Sequence, residues 1–151
     1  VDNNTLMDHR ATYCQSNQLY KYVLDEKSKG AFAGRILVRQ EAQHTTSTER
    51  NANLCATKEA RMFTQPMLEI YADDVKCSHG ATVGQMDEQA LFYMRQRGIS
   101  QDEAKMLLKF AFAGEVVETI GLEALRDRLR HLIEKRFRGE LGRCSGCAVC
   151  G

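Results

Sequence analysis

The sequence predicts two structural classes in succession, a mainly β half followed by an α-helical half. Three observations predict this. Apolar and polar residues alternate at period 2 up to about residue 86, and apolar residues recur at helical spacing beyond it. Capping signals open the segments of the second half. The first half contains no Asn-Gly or Asp-Gly, the strongest hairpin signals. The expected parts are residues 1–86, residues 87–138 and a Cys-rich flexible tail, 139–151.

In the first half, Ile36 and Val38 alternate with Arg35, Leu37 and Arg39, and Leu68, Ile70 and Ala72 alternate with Glu69 and Tyr71. Val75, Cys77 and His79 alternate with Lys76 and Ser78. Thr45, Thr46, Thr48, Asn51 and Asn53 read as a polar, turn-rich stretch between apolar segments. Strands without hairpin turns, punctuated by Thr and Asn, suit a β-solenoid in which each strand stacks on its equivalent one coil away. No strict repeat is visible, so a β-sandwich fits the pattern equally. Stacked parallel strands are expected from about residue 15 to 85, with at least three helices from about 87 to 138.

In the second half, Asp87 caps a helix carrying Ala90, Leu91 and Met94, and Gly98 stands where a glycine ends it. Ser100 and Glu103 form a capping box. Behind it Ala104, Leu107, Leu108 and Ala111 share one helical face. Gly114 either ends that helix or lies within it. A last helix carries Leu122, Leu125, Leu129, Leu132, Ile133 and Phe137. Its mildly basic end reads most simply as a solvated face. Phe92 and Tyr93 beside Leu91, and Phe110 and Phe112 around Ala111, exceed what one internal face can bury. They either form a patch for a protein partner or pack on the end of the β part.

Composition excludes several classes. With 151 residues, 43% of them hydrophobic, the chain can bury a core as one domain or as part of a larger one. A net charge of +1 argues against a nucleic-acid partner held by bulk charge, and against disorder. No apolar run approaches the roughly 18 residues of a membrane span. The polar start lacks a signal-peptide pattern and an initiator Met, so a piece of a longer, cytoplasmic protein is expected. In a reducing cytosol the six cysteines read as free thiols or metal ligands.

Two constellations could carry chemistry. In Lys76-Cys77-Ser78-His79-Gly80, Cys77 and His79 point to the same side of a strand, so both could meet one metal ion or cluster. They share that side with Val75, and a face apolar at one end and soft-ligand at the other suits an interface or a lined cavity. The plainer alternative is a core Cys beside a hydrogen-bonded surface His. Cys144, Cys147 and Cys150 repeat the C-x2-C spacing that opens a bacterial ferredoxin run, without its fourth ligand. They read as a thiol-rich tail, or as a three-thiolate site completed from elsewhere. That second option makes a ferredoxin-like or zinc-binding module the alternative function. No G-x-S-x-G, Walker A motif or acid–base pair is present, so no catalytic residue is assigned and no enzyme is expected. His9, His44 and His131 are isolated and read as structural or exposed.

The segment LEIYADDVKCSHGATVGQMDEQALFYMRQRG, Leu68 to Gly98, resembles the SufD branch of the SufB/SufD family of iron–sulfur cluster assembly proteins. The likeness runs upstream through Phe32-Ala33-Gly34-Arg35-Ile36 and Asn51-Ala52-Asn53-Leu54 and downstream to about residue 138, covering the C-terminal third of a family member. It implies the last coils of a right-handed parallel β-helix followed by a helical domain, which decides solenoid over sandwich. A solenoid cut across its axis exposes a strand edge, so a homodimer is one expected state. The resemblance also implies a non-catalytic scaffold subunit that pairs with a SufB-like subunit and binds a SufC-like ATPase through its C-terminal helices. The family's interface histidine falls on His79, with Cys77 on the same strand face. The cluster would be transient and shared with the partner, with none expected on the isolated fragment. Neither a nucleic acid nor a membrane is an expected partner. The cysteine tail is outside the family pattern.

Overall fold

The computed structural model describes residues 1–140. The strands are β1 (Asp2–His9), β2 (Gln15–Leu24), β3 (Lys29–Val38), β4 (Thr45–Cys55), β5 (Arg61–Ile70) and β6 (Val75–Gln85). Odd strands form one sheet in the order β1-β3-β5 and even strands a second in the order β2-β4-β6. Every pairing is parallel. Each coil therefore gives one strand to each sheet, and the chain winds as a β-helix rather than folding into hairpins. Side chains 31 positions apart meet across successive coils: Ser16 with Ser47, Asn17 with Thr48, and Asp8 with Arg39. The turns stack the same way. Tyr13 and His44 both adopt left-handed backbone, and their rings lie 4.6 Å apart.

Two findings differ from the sequence expectation. The stacked strands begin at Asp2, well before residue 15. The stretch around Thr45 to Asn53 is not turn-rich; it is β4, the best-buried strand. Its inward row Thr45, Ser47, Glu49, Asn51 and Asn53 is entirely buried although every member is polar. The physical reason is that most of these side chains find hydrogen-bonding partners on their own strand, across the interior or one coil away. Asn53 Nδ2 donates to Asn51 Oδ1 at 2.6 Å and to the Thr82 carbonyl at 2.9 Å, and the Thr64 hydroxyl donates to Asn51 Oδ1 at 2.7 Å.

Apolar clusters flank this polar middle. Ile36, Val38, Ala42 and Ala72 form one, with Met7, Leu68, Val75 and Cys77 packed against it. Leu24, Cys55 and Ala60 form the other, with Tyr22 and Met62. Phe32 packs against Tyr20 between them, ring centroids 4.7 Å apart. Pro66, the chain's single proline, lies on β5, an edge strand, where a missing N–H is tolerated.

A second compact unit begins at Asp87. It contains α1 (Glu88–Gln96), α2 (Gln101–Glu118) and α3 (Glu123–Phe137). The Asp87 carboxylate accepts from the Gln89 and Ala90 amides, and Gly98 ends the helix at φ +83°. The Ser100 hydroxyl accepts from the Glu103 amide at 3.2 Å, while the Glu103 carboxylate meets the Arg138 guanidinium at 3.3 Å. Gly114 lies inside α2. That helix packs against both α1 and α3, so its buried residues, Ala104, Met106 and Val117, do not form one stripe, and Ala111 is exposed. Arg130 ties α3 to Glu118 of α2.

Ile36 has no exposed surface and anchors the first apolar cluster. Ile36→Ala is expected to lower the unfolding free energy by about 2–5 kcal/mol. Urea denaturation checks this, and a loss below about 1 kcal/mol would refute the placement of the core.

Candidate functional site

Cys77 and His79 both lie on β6, whose one partner strand is β4. Burial falls steadily along β6. Val75 and Cys77 are half-buried against the first apolar cluster, and every residue from Ser78 to Gln85 is exposed. The register places Val75 beside Thr45, Cys77 beside Ser47 and His79 beside Glu49. The inward face of β6 is thus apolar at its start and carries donors further on, and His79 escapes a closed apolar core.

Cys77 is set between apolar and polar surroundings. Burial pushes its thiol up, and a backbone hydrogen bond with Ser47 pulls it partly back. The Ser47 hydroxyl is 2.6 Å from the Ser16 hydroxyl, which is 3.0 Å from His9 Nε2. His9 is buried, and desolvation lowers its pKa against the opposing pull of Asp8. Two hydroxyls and a buried imidazole therefore continue the Cys77 rung into the preceding coils. Asp8 itself is held well below the usual carboxylate range by hydrogen bonds from Arg39 and then Arg10.

Glu49 is the residue that sequence reading missed. It is 1% exposed, and neither carboxylate oxygen has a hydrogen-bond partner among the described residues. Burial pushes its carboxyl above the usual range, and the charge that His79 can carry pulls it partly back. The carboxylate lies across the interior against Gly34 of β3, where an added Cβ would come within 2.2 Å of Oε1. The available signal was the period-2 row Thr45, Ser47, Glu49, Asn51, Asn53, which a search for apolar alternation passes over.

The structure brings Cys77 and His79 to one strand face and adds Glu49 and Ser47 beside them. Among the described residues, no three His, Cys, Asp or Glu side chains are grouped closely enough to hold a metal ion. An iron–sulfur cluster as cargo would need donors beyond those grouped among the described residues. Phe92 and Tyr93 on α1 are 63% and 59% exposed, and the Arg97 guanidinium lies 4.4 Å from the Tyr93 ring centroid. Phe110 and Phe112 on α2 are partly buried. Cys144, Cys147 and Cys150 lie outside the described residues. No described helix is long and apolar enough to cross a membrane.

A family model described as SUF system FeS cluster assembly, SufBD core domain, matches residues 1–112. The chain belongs to the SufB/SufD family. This SufB/SufD chain is 43% identical over 138 residues to the iron–sulfur cluster assembly protein SufD of Escherichia coli, a match covering 91% of the chain and 33% of that protein. It is 45% identical over 121 residues to an iron–sulfur cluster assembly SufBD family protein of Synechocystis, covering 80% of the chain and 27% of the relative. A SufBD family protein of Mycobacterium leprae is 34% identical over 142 residues, covering 89% of the chain and 36% of the relative. The chain spans about a third of the length of these relatives.

The buried Glu49 generates a pH prediction. A folded-state pKa above the unfolded one contributes stability below the unfolded value and loses it as pH rises through the folded value. Glu49→Gln removes that slope. Its stability lead over the parent is expected to grow as pH rises past the usual carboxylate range and then to level off. Urea unfolding across a pH series checks this, and parallel curves for the two chains would count against it.

Proposed function

We propose that this chain is the C-terminal part of a non-catalytic scaffold subunit in iron–sulfur cluster assembly. In this reading it pairs with a SufB-like subunit along the β6 side and binds a SufC-like ATPase through its helices. The cluster is its cargo, built transiently between subunits, and Cys77 and His79 are this chain's donors toward it. The observation that carries the reading is the open inward face of β6, where a half-buried thiol and an exposed imidazole share one strand face. A thiolate and a neutral imidazole are ligands that iron accepts. Two donors leave positions for a partner chain, which is what a shared, releasable cluster requires.

The exposed Phe92 and Tyr93 support an interaction role for α1, because adjacent large aromatics facing solvent characterise docking surfaces. Co-expression with SufB-like and SufC-like candidates, followed by pull-down, tests the pairing. Phe92→Ser with Tyr93→Ser is expected to weaken capture of the ATPase without lowering the melting temperature. Unchanged capture would reject α1 as the contact.

His79→Ala is expected to change stability by no more than about 1 kcal/mol, because the side chain is exposed. The reconstituted complex should nevertheless lose iron content and cluster absorbance. Cys77→Ser is the companion variant, and a weaker effect there would make His79 the principal donor. Full iron loading and normal transfer to an apoprotein by the His79→Ala complex would reject the assignment.

A further inference from the structure

α3 packs against α2 and still leaves an apolar row uncovered. No residue of the helix is buried, and Leu122 at its N-cap, Leu125 and Leu132 are 65%, 43% and 39% exposed. With the half-buried Leu129 they follow one another at steps of three, four and three, the a/d row of a coiled coil. Charge is sorted around this row. Arg128 and Lys135 flank it at the positions just before Leu129 and Arg136, and Arg136 extends it by one turn. Among the described residues, none of these three has an ion-pair partner. On the other flank, Arg126 Nε has no hydrogen-bond partner among the described residues. The acidic side chains Asp127 and Glu134 lie away from the row and are paired with Arg130 and Arg138.

We infer that this row docks an amphipathic helix of a partner protein, one whose apolar stripe is flanked by Asp and Glu. The inference rests on the reading that the helices bind a partner, and it adds the element and the charge of what is bound. A three-four row meets the grooves of another helix, whereas a strand repeats every two residues. Acidic flanks would turn Arg128 and Lys135 into opposite-charge pairs, which fix the partner's register and orientation. A second copy of α3 would instead set these cations against their own equivalents, so the same charges oppose self-pairing. The 15 residues of α3 span about 22 Å, so about two heptads of partner helix suffice. Leucines supply the apolar contact, and the basic flank selects among partners that offer a similar stripe.

Two probes test this on the full chain: a SufC-like ATPase, and a pair of synthetic helical peptides with Leu at a and d and either Glu or Lys at e and g. The Glu peptide is expected to shift the amide NMR signals of residues 122–136, with affinity falling as salt rises. The Lys peptide is expected not to bind. Arg128→Glu with Lys135→Glu should weaken the Glu peptide and ATPase capture at least about tenfold, admit the Lys peptide, and leave the melting temperature unchanged. Equal binding of the two peptides, or binding of neither, overturns the inference. Self-association of the parent chain through residues 122–136 overturns it in favour of a second copy. If the charge reversal leaves ATPase capture unchanged while Phe92→Ser with Tyr93→Ser weakens it, the α3 row is overturned and the ATPase reading stands. If the parent captures no ATPase yet selects the Glu peptide, the ATPase reading fails and the α3 row stands.

Discussion

Parallel stacking in fixed register is the constraint from which the β unit follows. From Ser47 to Asn53, each inward side chain of β4 is held between an equivalent on β2 and another on β6, and it must suit both. Where the neighbours supply donors and acceptors, polar residues can be buried at little cost. Ser47 meets Ser16, and Asn53 reaches the Thr82 carbonyl. Glu49 breaks this rule, since its neighbours are Gln18 and His79 and neither is hydrogen-bonded to it. The one unpaired charge-bearing group of the inward row therefore lies next to the histidine that also carries the functional reading.

The same stacking explains why the proposed donors are accessible on β6. A side chain in the middle coil is sealed on both sides, as Glu49 is. One on the edge strand keeps its position in the row but loses its cover. Cys77 retains enough apolar contact to be held in place, and His79 is open. Edge position thus converts a core row into an open face without any change in backbone geometry. An unpaired strand edge normally invites uncontrolled association, and pairing with a specific subunit along this side would satisfy both needs.

The division near residue 86 was legible because the apolar period changes there, and the caps at Asp87 and Ser100 were legible because capping is local chemistry. Cys77 and His79 were legible as a pair through their i, i+2 spacing. The solenoid was not separable from a sandwich by pattern alone, since the coil repeat is carried by register and not by similar residues. Asn17 and Thr48, or Gln43 and Asp74, meet at the same spacing without resembling each other. β4 was misread for a related reason. Its burial depends on partners 30 and 31 positions away, and its polarity was read as a turn signal. Ala111 was assigned to the wrong side because α2 is covered by two helices at once.

The coil spacing, 29 to 32 positions between paired strands, has a consequence for how such a chain can change over generations. Replacing one turn residue alters one rung, but losing a single residue from the turn before β4 advances the whole strand by one step. Alternation would then turn Thr46, Thr48 and Arg50 inward and put Ser47, Glu49 and Asn51 outside. An arginine would face Gly34 where a carboxylate now lies, and the Tyr13–His44 ring stack would fall out of phase. Coil length is therefore inherited as a unit. A substitution on the outward face leaves the inward row in phase, whereas an insertion or deletion within a stacked turn does not.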